Sequence, residues 1–128
     1  MIGYHANIEK LTLANKNFRQ VLFTAPHSQL VLMSLLPGVE IGIEAHNKVD
    51  QFFRFEKGSG KIILSGEETI IGDGDVAMVP AGTNHNVINT STSEDLKLYT
   101  IYSPANHPDG TVQATKAEAD KYEAEMKK

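Results

Sequence analysis

The chain has 128 residues, the length of one ordinary domain, and can bury about two-thirds of its unfolded surface without covalent staples. It carries 12 Lys and Arg against 16 Asp and Glu, a net charge of -4, and no Cys. The scattered cations exclude a nucleic-acid or anionic-membrane partner. The missing thiols exclude disulfides, Cys-based zinc sites and thiol nucleophiles. The N-terminal MIGYHANIEK lacks an apolar signal core, and the apolar stretch around 30–36 is too short to span a bilayer. A cytoplasmic location is expected.

Up to residue 102 the chain reads as short strands punctuated by turns, beginning near residue 11 with an early N-terminal strand. FRQVLFT (18–24) ends at APHS, and QLVLMSLL (29–36) ends at Pro37-Gly38. IGIEAHNKVDQFF (41–53) reads as two strand ends joined by a polar turn, the second running through 50–56 to KGSG. KIILS (61–65) and ETII (68–71) flank Gly66 as a hairpin. VAMVP (76–80), HNVINT (85–90) and LKLYTIY (96–102) complete the pattern. Strands recurring every 8–12 residues, with no βαβ alternation and no phosphate-binding glycine motif, predict an all-β sandwich or barrel. The tail differs. SPANHPDG (103–110) is a loop, and ATKAEADKYEAEMKK is helical by composition, with a Thr115/Glu118 capping box and a Glu123–Lys127 pair. One domain over 1–128 is expected, its barrel at about 11–102 and its terminal loop and helix at 103–128.

Residues two apart on a strand share a face. Gly42, Glu44 and His46 therefore point together. Arg54 and Glu56 belong outside, which turns Gln51, Phe53 and Phe55 inward. Val87 prefers the core, which brings His85 and Asn89 with it. Polar groups inside an apolar barrel need a common partner, and a divalent cation accepts carboxylate oxygen, imidazole nitrogen and amide oxygen. Glu44, His46 and His85 form a two-His, one-carboxylate set suited to Fe, Mn, Ni or Zn, with Gln51 as a weaker fourth ligand. The alternative is that Glu44 and His46 flank a turn and are solvated.

These residues also carry a family resemblance. Gly74, Pro80, Gly82, His85 and Asn89 match the second motif of the cupin superfamily at every spacing. Gly38, Glu44, His46, Gln51 and Gly58 follow the first motif, with Glu44 where the family has its first His and Gln51 where it has Glu. The motifs span 38–89. The chain is similar to small single-domain bacterial cupins of the "mannose-6-phosphate isomerase-like" type, a label that speaks of likeness and not of reaction. The resemblance implies a jelly-roll (double-stranded β-helix) barrel holding one divalent transition metal through Glu44, His46, Gln51 and His85. The single carboxylate has moved within the first motif, leaving the ligand charge at -1, as in a relocated site.

His5, His27 and His107 read as surface residues, although the loop of His107 could cover the barrel mouth. Tyr99 and Tyr102 face opposite ways, so one at most lines the cavity. Related small cupins dimerise through N-terminal strands, which implies a homodimer. Three functions follow. One is a metal-dependent isomerase or lyase acting on a small oxygenated metabolite, a sugar or keto acid, with Glu44 as catalytic base where it is not a ligand. The second is an Fe- or Mn-dependent dioxygenase, and the third a non-catalytic metabolite-binding module.

Overall fold

Apolar–polar alternation builds two antiparallel sheets. The computed structural model describes residues 2–126. The elements are α1 (Ile8–Ala14), β1 (Arg19–Thr24), β2 (Gln29–Leu35), β3 (Asp50–Lys57), β4 (Gly60–Leu64), β5 (Glu67–Ile71), β6 (Val76–Val79), β7 (His85–Asn89), β8 (Leu96–Ser103), β9 (Val112–Gln113) and α2 (Lys116–Met126). The larger sheet has the order β6-β3-β8-β2-β1-β9 and the smaller β5-β4-β7. Residues 40–44 lie along β7 through two isolated bridges, Glu40 with Ile88 and Glu44 with His85. The inner faces of the two sheets share one core that includes Met33, Phe53, Phe55, Ile62, Val87 and Leu98. This is the jelly-roll barrel expected of the sequence, closed by a short C-terminal helix.

The early N-terminal strand is not formed. Residues 8–14 are the helix α1, because Asn7 caps its first turn by accepting from the Lys10 amide at 3.0 Å. Thr12, fully buried, donates to the Ile8 carbonyl at 2.7 Å, so its hydroxyl is satisfied inside the helix. The strand pattern therefore begins at Arg19 and not near residue 11. The short β9 extends the sheet beyond residue 102 by pairing with Arg19 and Gln20. The segment 41–46 is also not a regular strand. Gly42, at φ +107°, donates its amide to the Asn86 side chain at 2.9 Å in place of a backbone partner.

Other local expectations are met. Ser65 and Gly66 both have positive φ, as a two-residue hairpin turn between β4 and β5 requires. Thr115 accepts from the Glu118 amide at 3.1 Å, and Glu118 reaches back to the Ala114 amide at 2.9 Å, one residue earlier than the standard box. The expected Glu123–Lys127 pair lies outside the described residues. Gln51, Phe53 and Phe55 face inward on β3, and His85, Val87 and Asn89 on β7.

Gly58 is the tightest backbone approach outside the strands. Its φ is +116°, and a Cβ there would stand 2.7 Å from the Asp95 carbonyl oxygen. Gly38, at φ +76°, has nothing within 4 Å of that position. Gly58→Ala should therefore cost more than about 2 kcal/mol and Gly38→Ala about 1 kcal/mol, read from urea midpoints. Equal losses would show that the Asp95 carbonyl yields freely.

Candidate metal centre

The register of the large sheet places Gln29, Tyr102 and Gln51 side by side across β2, β8 and β3. All three are buried. They form a polar row at one end of a barrel whose next rows are mostly apolar. The smaller sheet faces this row with His85. Glu44 and His85 exchange both backbone hydrogen bonds, each 2.9 Å. Directly opposed antiparallel residues present their side chains on one face, so this bridge aims both inward. His46, two residues on, follows the same face. Its ring centroid lies 5.5 Å from that of His85 and 5.9 Å from that of Tyr102. Its Nε2 is 3.5 Å from Glu44 Oε2.

Hydrogen-bond logic at His85 identifies what is needed there. Nδ1 lies 3.0 Å from the Thr83 carbonyl, which only accepts, so Nδ1 carries the proton. On a neutral ring Nε2 then presents a lone pair. Yet it faces Gln51 Oε1 at 3.1 Å. That oxygen is fixed because Gln51 Nε2 donates to Thr100 Oγ1 at 3.0 Å, and Thr100 gives its single proton to the Phe52 carbonyl at 2.8 Å. Turning the amide over would ask Thr100 for two protons. On a neutral ring two lone pairs therefore converge, and either a proton on Nε2 or a metal cation between them relieves the contact. His46 Nε2 is buried without a hydrogen-bond partner among the described residues, a second ligating atom left open.

Electrostatics point the same way. Burial lowers the His46 pKa, helped by His85 and Arg19, which keeps a neutral lone pair available. Burial raises that of Glu44, and Arg19 opposes the rise. The donors of Glu44, His46, Gln51 and His85 thus fit a divalent transition metal in type. They are not drawn tightly together: among the described residues no three His, Asp or Glu groups make a ready metal cluster.

Several residues at the site were not expected there. His107 is half-buried and not a free surface residue. Its loop covers the mouth, and its Nε2 lies 3.2 Å from the Tyr102 hydroxyl. Burial, with Arg19 and His46 adding, lowers its pKa to about 3. Tyr102 is the inward tyrosine, and burial raises its pKa well above the usual range. Gln29 secures the loop. Its amide donates to Thr24 Oγ1 at 2.9 Å and the His107 carbonyl at 2.7 Å, and accepts from the Asn106 and His107 amides, both at 3.1 Å. Arg19 is buried beside them, signalled only by its spacing of two from Val21. His5 and His27 are exposed, as expected.

A two-sheet jelly roll with polar donors at one end of its bore defines a cupin. The Cupin domain family model matches residues 31–102, and the chain belongs to this family. Similar proteins include the uncharacterised YrkC of Bacillus subtilis, 47% identical over 88% of this chain. This chain spans 63% of the length of YrkC. A protein of Acanthamoeba polyphaga mimivirus, also uncharacterised, is 43% identical over 91% of this chain and 74% of its own. A crystal structure from Bacillus halodurans matches at TM-score 0.89 and 42% identity, covering 92% of this chain and 93% of that one. No helix among the described residues is long and apolar enough to cross a membrane.

Two predictions concern the loop. Gln29→Ala should cost about 2 kcal/mol and speed amide exchange at Asn106 and His107, leaving that of Val87 unchanged at matched stability. For His107, the folded value lies below the unfolded one. Its contribution is complete above about pH 6.5 and is lost as pH falls toward 3, because the unfolded chain takes the proton first. In chelator-treated protein, His107→Asn should flatten the stability–pH curve between pH 6.5 and 4, measured by urea melts. Parallel curves for the two proteins would show that His107 titrates normally.

Proposed function

We propose that this cupin is a metal-dependent enzyme acting on a small oxygenated metabolite by isomerase- or lyase-type chemistry. The observation that carries the reading is the convergence of the His85 and Gln51 lone pairs beside the partnerless His46 Nε2. His46, His85 and Gln51 would hold a divalent ion, with Glu44 as the charged fourth group. A metal bound there supplies positive charge that polarises a substrate carbonyl. Glu44 does the proton work where it is not a ligand. A carboxylate whose pKa is raised by burial is the better matched to remove a proton beside a carbonyl and return it one carbon away. Tyr102 stays protonated, so its hydroxyl can donate to a developing oxyanion. His107 and its loop exclude water from the same space.

The two-His, one-carboxylate composition favours a second reading, an Fe- or Mn-dependent dioxygenase. Oxygen uptake distinguishes it from proton exchange without O₂. A homodimer belongs to the same proposal. With the N-terminal segment helical, the strand edge left for it is β1 beyond Val21, where β9 no longer pairs and Tyr4 stacks on Phe23 at 5.5 Å.

Elemental analysis of the purified protein tests the centre. Near one equivalent of transition metal is expected. His46→Ala and His85→Ala should each reduce it to about a tenth, and Gln51→Ala less. Full occupancy in His85→Ala would sink the site. Metal retained in Glu44→Ala, with turnover lost, makes Glu44 the base. An empty parent protein that refuses metal leaves a binding module.

A further inference from the structure

Arg19 has no role in the donor set, and it is buried without a counter-ion among the described residues. It is 3% exposed. Among the described residues no carboxylate lies within 4.0 Å of its guanidinium. Its Nη1 donates to the neutral Gln113 Oε1 at 2.7 Å, and the Tyr102 hydroxyl is a further neutral hydrogen-bonding neighbour. The guanidinium lies 5.2 Å from the Phe18 ring centroid, which holds it in place. Among the described residues its Nε is buried without a hydrogen-bond partner. A cation left this way is costly, and an unmade charged hydrogen bond adds to the cost. With Nη1 engaged, the side of the fork that carries Nε remains open, and that side matches a planar carboxylate.

The open fork has a space to serve. Arg19 and Glu44 line the same cleft, of about 190 Å³, between residues 41–44 and α2. This is room for a small molecule and not for an extended one. The rim charges largely answer one another. Lys116 binds Asp120 at 2.7 Å and donates to the Ile41 carbonyl at 2.7 Å, and Glu123 is the remaining carboxylate. Arg19 lies in the floor with its Nε unmet, facing a cleft that also holds the Glu44 and Glu123 carboxylates.

We propose that Arg19 is the substrate-binding residue for a carboxylate, and that the metabolite is a small α-oxo acid and not a neutral sugar. The inference rests on the reading of the site as a cupin metal centre, and selects within the substrate class proposed there. The carboxylate sits on Arg19, and the oxo group points along the cleft toward Glu44. Occupation returns a counter-charge to Arg19, so ligand binding and fold stability rise together.

Calorimetric titration with pyruvate and with its neutral analogue hydroxyacetone tests this, on chelated protein and on protein reloaded with Mn²⁺. Pyruvate should bind the parent protein at least about tenfold more tightly than hydroxyacetone, a comparison that needs no variant. Arg19→Gln should lose at least about tenfold for pyruvate and nothing for hydroxyacetone. Arg19→Lys, which keeps charge without the fork, should fall between. Circular dichroism checks that both variants fold, and their Mn²⁺ uptake should match the parent. Equal binding of the two ligands by the parent protein overturns the inference, as does tighter binding of inorganic phosphate than of pyruvate. Mn²⁺ uptake without pyruvate binding overturns it while leaving the metal centre intact. Arg19-dependent pyruvate binding in a protein that takes no metal upholds it and removes the metal centre.

Discussion

The backbone bridge between Glu44 and His85 is the contact on which the mouth of this barrel depends. Two hydrogen bonds of 2.9 Å join an irregular segment to β7, and they do so where no regular strand continues. Without them Glu44 and His46 would belong to a solvated turn. With them, a carboxylate and an imidazole from one segment meet an imidazole from a strand some forty positions later. Gln51 completes the group from the opposite sheet. The polar end of the bore is thus made by sheet-to-sheet closure, the same closure that packs Phe53 and Phe55 against the rest of the core.

That polar end is held at a cost in stability. Among the described residues, a neutral His85 turns a lone pair toward Gln51 Oε1, a buried imidazole nitrogen has no hydrogen-bond partner, and a buried guanidinium has no carboxylate within 4.0 Å. Among the described residues, the other buried side-chain atom without a hydrogen bond is Arg54 Nε, and it has the Glu56 carboxylate 2.9 Å away as an ion-pair partner. Gln29 makes four hydrogen bonds, and Asn89 reaches both the Leu35 and Glu94 carbonyls. The contrast matters, because unmet groups confined to one region of a well-satisfied fold mark where ligands are to complete it.

Much of the framework was legible from period and punctuation. Eight strands lie where period and turn residues put them: β3 and β8 alternate between a buried and a wetter face, while β2, buried on both faces, and β5, mostly exposed, are set by their bounding turns. The helix α1 was missed because it is a single short element, set by one Asn cap and one buried Thr. The two-residue β9 is too short to leave a pattern. At the site, Gln51 and His85 were readable because Phe53, Phe55 and Val87 fix their faces. Glu44 and His46 were readable only as a pair, since nothing local distinguishes a bridge to β7 from a turn. Arg19 and Gln29 shared a face with Val21 and Val31 by period alone, with nothing to announce their roles, and His107 lay in a loop. Their roles come from contacts across long stretches of chain, 94 residues from Arg19 to Gln113 and 78 from Gln29 to His107.

Charge gives the last constraint. Within the bore the titratable groups are Arg19, Glu44, His46, His85, Tyr102 and His107. Burial drives Glu44, His46, Tyr102 and His107 toward their neutral forms. Arg19 cannot follow, because a guanidinium keeps its proton at any pH a protein experiences. It therefore sets the potential that the others feel, lowering the pKa of His46 and His107 and drawing negative charge toward Glu44. A divalent ion entering beside Glu44 would leave the region with an excess of positive charge, the Glu44 and Glu123 carboxylates against a metal and an arginine, with Lys116 and Asp120 paired. Low dielectric makes such an excess expensive. An anion is the species that balances it, and the cleft that reaches Arg19 and Glu44 is where one can enter.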